Sequence, residues 1–149
     1  MATYLSNELA GTTDGKTSAP VAANLRQRGV ITGGRLKRYR STITFNAQAS
    51  GDVIQLACLP AGSVFAYGTL INSASTATAT IAIGTVATPA KYRAAAASTS
   101  ADTLALFSTT AVQSADVFAV DELVYATVGT AALPASGTLV IDLYVSVIS

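Results

Sequence analysis

The sequence predicts an all-β chain, a jelly-roll-like β-sandwich preceded by an extended N-terminal arm. Three observations carry this. Between residues 35 and 84, apolar and polar residues alternate with period two, rich in β-branched and aromatic types. Gly, Pro, Asn and Ser clusters interrupt that alternation about every ten residues, as turns do in sandwiches. Residues 1–34 show no sustained period, which sets them apart from 35–149 as an arm before a single domain.

The arm holds the turn-rich stretch Gly11-Thr12-Thr13-Asp14-Gly15 and Pro20, with a short helical turn expected over 21–25 and a short strand over 30–32. The first long strand is expected over 35–45. It sets Tyr39, Ile43 and Phe45 on one face, with Lys37 and Ser41. Arg38, Arg40, Thr42 and Thr44 lie on the other. One face is core and the other wet or interfacial.

A turn over 49–52 leads to a strand over 53–58, a turn over 59–62 to a strand over 63–71, and a polar turn over 72–76 to a strand over 77–84. A loop follows over 85–90. Residues 91–97 are either a strand or irregular, because their Ala run is helix-prone but short. Residues 102–107 form a short apolar piece, and 121–129 another strand. The clearest strand is 138–148, where Leu139, Ile141, Leu143, Val145 and Val147 face one way and Asp142 and Ser146 the other. The turns 57–63 and 131–137 echo each other around Leu-Pro-Ala, which suits two sheets built from similar hairpins. Seven or eight such strands favour a jelly roll.

Charge is sparse and unevenly placed. Only 11% of residues are charged, against a usual ~25%, which points to subunit contacts rather than to a well-packed lone domain surfaced with Ser and Thr. Residues 1–40 carry seven Lys and Arg against two acids, net +5; residues 41–149 carry two against six, net −4. A basic arm on a mildly acidic body suits contact with a neighbouring copy or an acidic surface. The expected interface residues are Arg26, Arg28, Arg35, Lys37, Arg38 and Arg40. Cations around Tyr39 have some nucleic-acid flavour, but a net charge of +1 argues against direct nucleic-acid binding.

The same inventory speaks against catalysis. There is no His and a single Cys, so zinc and Cys–His chemistry lack ligands and base. Cys58 sits in an apolar strand and is expected to be a buried thiol. The stretch 10–17 echoes a phosphate loop, but Ala10 stands where its first Gly should be. Asp121 and Glu122 are adjacent and point apart on a strand, and Asp116 with Asp121 reads as solvated loop charge. No enzyme, metal or cofactor is expected. No basic and apolar leader opens the chain, and no apolar run approaches the ~18 residues that cross a bilayer, so synthesis in a reducing cytoplasm without membrane contact is expected.

Several segments carry a resemblance: Tyr4-Leu5-Ser6-Asn7-Glu8-Leu9-Ala10-Gly11, Gly34-Arg35-Leu36-Lys37-Arg38-Tyr39-Arg40-Ser41-Thr42-Ile43, Ala49-Ser50-Gly51-Asp52 through Leu59-Pro60-Ala61-Gly62, Phe65-Ala66-Tyr67-Gly68, Ile81-Ala82-Ile83-Gly84, Ala90-Lys91-Tyr92-Arg93-Ala94-Ala95 and Leu133-Pro134-Ala135-Ser136-Gly137. Together they resemble small virion proteins of tailed bacteriophages, of the head decoration or cement type. The resemblance implies a β-sandwich on the outer capsid surface, commonly a trimer, with the major capsid protein and its own copies as partners and no active site. A head-fibre base or tail component, and a carbohydrate-binding module, are the alternatives. The last needs clustered aromatics, and the sequence shows no clustering of Tyr39, Tyr67, Tyr92, Tyr125 and Tyr144.

Overall fold

The computed structural model describes residues 34–113 and 117–147. The arm lies outside them except for Gly34, so the expected elements over 21–25 and 30–32, the stretch 10–17, Arg26, Arg28 and Asp116 have no description here. Eight strands follow in chain order: β1 (Arg35–Thr44), β2 (Val53–Leu59), β3 (Val64–Asn72), β4 (Thr80–Gly84), β5 (Arg93–Ala97), β6 (Ala105–Phe107), β7 (Glu122–Gly129) and β8 (Thr138–Val147). A single helical turn, α1 (Thr110–Gln113), precedes β7. The sequence gives no periodic signal for so short a turn. It starts where Thr109 Oγ1 accepts the Val112 N–H and Val112 is buried.

The strands form two four-stranded antiparallel sheets, in the orders β1-β8-β3-β6 and β2-β7-β4-β5. The pairs β1·β8, β2·β7, β3·β6 and β4·β5 are those of one long hairpin doubled back on itself. Rolling that ribbon adds β3·β8 and β4·β7, which closes the jelly roll. The expected sandwich is therefore present.

The echoing Leu-Pro-Ala turns play a different part from the one expected. Neither makes a hairpin: 60–63 carries the chain from the second sheet to the first, and 130–137 does the same at the opposite end. In each, the Leu before Pro, Leu59 or Leu133, is buried and stoppers its end of the core. A strand over 77–84 was also expected, but it begins at Thr80. Ala77 takes φ 52°, and Ala79 N–H closes a turn on Thr76 O at 2.9 Å.

β8 runs through the centre. Leu139, Ile141, Leu143 and Val145 are fully buried, and meet Ile81, Ile83, Val124, Ala126 and Val128 from the other sheet. Two bulges re-aim side chains. In β3 the register breaks between Phe65 and Tyr67, so Phe65 stays in the core and Tyr67 turns outward. In β2 it breaks between Gln55 and Ala57. Leu56 and Ala57 then both lean inward, Leu59 is buried, and Cys58 is exposed. The expected buried thiol is wrong because one inserted residue reverses the alternation. Gly68 permits a close approach: a Cβ there would fall 2.2 Å from the Phe107 ring.

Candidate interaction faces

β1 is an edge strand. β8 is its neighbour on one side, and its other edge is unpaired among the described residues. Arg35, Leu36, Lys37, Arg38 and Arg40 are all exposed. Cations on an edge strand deter indiscriminate strand pairing and leave the edge to a chosen partner. Four of the six residues expected at an interface thus share one strand end: Arg38 and Arg40 on the outer face, Arg35 and Lys37 on the inner face.

Register sorts the outer face of the first sheet into rows. Leu36 lies beside Ser146 and Val64; Arg38 beside Tyr144 and Tyr67; Arg40 beside Asp142 and Thr69; Thr42 beside Val140 and Ile71. In the second row the Tyr67 and Tyr144 rings stack with centroids 4.6 Å apart. The expectation of unclustered tyrosines fails for this pair, because cross-strand register is not written in local sequence. In the third row Arg40 grips Asp142 bidentately, Nε on Oδ1 at 2.8 Å and an amino group on Oδ2 at 2.7 Å. That bond holds the Asp142 carboxyl below its ordinary range, against the opposing effect of burial, with Arg38 adding a smaller pull. The charge of Arg40 is therefore already neutralised within the chain. Arg35, Lys37 and Arg38 carry the strip's positive charge.

The second sheet holds a groove of about 330 Å³, lined by Thr85, Val86, Ala87, Asp121, Leu123 and Tyr125 together with Glu122. The adjacent carboxylates part company. Asp121 Oδ1 accepts the Ala61 N–H at 2.8 Å. Glu122 accepts the buried Tyr92 hydroxyl at one oxygen and Lys91 Nζ at the other. Burial first, then Glu122, pushes the Tyr92 hydroxyl well above the usual phenol range. Tyr92 is thereby a proton donor that anchors the start of β5, with its ring 4.4 Å from Phe65. Such a pairing builds structure. Sequence reasoning missed this groove, because residues 85–87 and 121–125 meet only through the β4·β7 pairing.

By sequence the chain matches no family description and no curated protein. Its fold does have solved counterparts. A chain of the cyanophage Pam1 capsid asymmetric unit superposes with a TM-score of 0.64 at 18% identity, over 93% of this chain and 99% of that one. A chain of the Ralstonia phage GP4 capsid gives 0.61 at 20% identity, over 78% and 86%. One from the acid-stable capsid of Helicobacter pylori bacteriophage KHP30 gives 0.57 at 15%, over 76% and 89%. The fold is one found in phage capsids.

Proposed function

We propose that this chain is a structural, non-enzymatic protein of a phage virion. It decorates the outer capsid surface, bridges adjacent capsomers and stabilises their seams. The observation that carries this is the likeness over nearly the whole of both chains to a component of the Pam1 capsid. Its partners are the major capsid protein and its own copies, with a trimer the favoured assembly. Neither nucleic acid nor membrane takes part. Residues 1–34 act as an arm onto a neighbour through Arg26 and Arg28, and Arg35, Lys37, Arg38 and Arg40 extend that contact along the edge of β1. Contacts that are weak singly become tight when several engage together.

Co-sedimentation with capsids assembled without this protein tests the proposal. Saturable binding in many copies per particle is expected, weakened when Lys37 and Arg38 are both replaced by Glu. Binding that survives deletion of residues 1–34 removes the arm from the account. A few copies confined to one vertex indicate a head-fibre base or tail component instead. The stacked Tyr67 and Tyr144 beside Arg40 and Asp142 favour one second reading, a carbohydrate-binding face. A glycan-array signal abolished by Tyr144→Ala would establish it.

A further inference from the structure

One end of the sandwich carries two unlike patches. Hydrogen bonds show which residues share that end. β1 starts there, with Arg35 opposite Val147. The loop entering β3 is tied to the segment before β7 by Gly62 N–H on Phe118 O at 2.8 Å and Phe118 N–H on Ser63 O at 2.9 Å. At the β1 corner Leu36 is 55% exposed, set among the exposed Arg35, Lys37 and Arg38. On the second sheet the groove presents Val86, 69% exposed, and Leu123, 43% exposed. Lys91 neutralises Glu122 there, so Asp121 supplies the groove's negative charge. One patch is an apolar knob ringed by cations. The other is an apolar hollow bordered by a carboxylate.

We propose that the two patches bind each other between copies: residues 35–38 of one copy dock in the groove of the next, with Leu36 against Leu123 and Val86. Leu36 and Arg38 share a face two residues apart, about 7 Å along the strand, which brings Arg38 to Asp121. The occupant is a second copy because one chain carries both complementary halves. The symmetric alternative, β1 edge against β1 edge, sets cations against cations and is disfavoured. A knob-to-groove contact is heterologous. A joined pair keeps one unused groove, on the copy that gave its knob, and one unused knob, on the other, and a suitable rotation closes the set into a ring. This inference rests on the self-association in the reading above, and not on capsid binding.

Sedimentation velocity on the full chain tests it. The unmodified protein should form species larger than a dimer as its concentration rises. Leu36→Glu and Leu123→Glu, each placing a charge at one half of the contact, should each weaken association by about tenfold or more. Mixed in equal amounts, the two variants should give a heterodimer and nothing larger, since one intact knob and one intact groove remain between them. Val86→Glu, in the loop, replaces Leu123→Glu if circular dichroism shows the latter misfolded. A chain that stays monomeric at roughly 100 μM overturns the proposal. So does a variant that associates like the unmodified protein, or a mixture with no heterodimer. Capsid co-sedimentation of the same samples separates the two ideas: rings that ignore capsids defeat only the decoration reading, and monomers that coat capsids defeat this contact and the self-association it rests on while leaving decoration standing.

Discussion

Strands β1 and β8 are each ten residues long and pair residue for residue, from Arg35 opposite Val147 to Thr44 opposite Thr138. Their burial is nevertheless unlike. β8 has a strand on either side and sinks every second side chain into the core. Among the described residues β1 has one neighbour, and Ile43 is its one buried residue. Pairing ties both edges of β8 and one edge of β1, but only the opposite layer takes side chains out of water. The first half of β1 is therefore held firmly by hydrogen bonds while its side chains remain free to meet something else.

Truncating the covered strand should have the largest effect. Leu143→Ala should destabilise by about 2–5 kcal/mol in chemical denaturation, because a fully buried side chain leaves a cavity. A smaller loss would mean that the sheets close up around the gap.

The next effect sharpens covered against uncovered polar groups. Tyr92→Phe should cost about 0.5–1.5 kcal/mol at neutral pH, the worth of its bond to Glu122. The hydroxyl's proton affinity is raised in the fold, so its stabilisation is complete below the unfolded value of about 10 and is lost as pH rises beyond it. Alkaline melting curves of the two proteins should converge above about pH 10.

Asp142→Asn acts on the outer face and should have a milder effect. The carboxyl is depressed in the fold, so its contribution is present above the unfolded value near ~3.9 and fades as pH falls through the folded one. The variant should melt earlier than the unmodified protein at neutral pH and match it in strong acid.

The smallest effect belongs to Leu36→Ala, within about 0.5 kcal/mol. A loss as large as that for Leu143→Ala would show that the first half of β1 is covered after all, and the comparison would fall.

Much of this fold could be read from alternation alone. The inward set of β8, the split faces of β1 and the turn spacing were all visible. Bulges were not. Alternation is read by counting, and one extra residue at Leu56 or Ala66 reverses every later assignment, which is how Cys58 was misjudged. Long-range register was equally hidden: nothing local links Tyr67 to Tyr144, Arg40 to Asp142, or Val86 to Leu123. The single turn α1 and the three-residue β6 are too short to show a period.

The rolled ribbon also dictates an order of events during synthesis. Among the described strands β1 leaves the ribosome first, yet its hydrogen-bonded neighbour β8 comes last. The first sheet stays open until translation has passed residue 138, with β1 and β3 each lacking the strand between them. Such non-local pairing makes folding slow and leaves nascent edges exposed to aggregation. Like charges at the head of β1 oppose its pairing with the same strand of a sister copy while β8 is still to come.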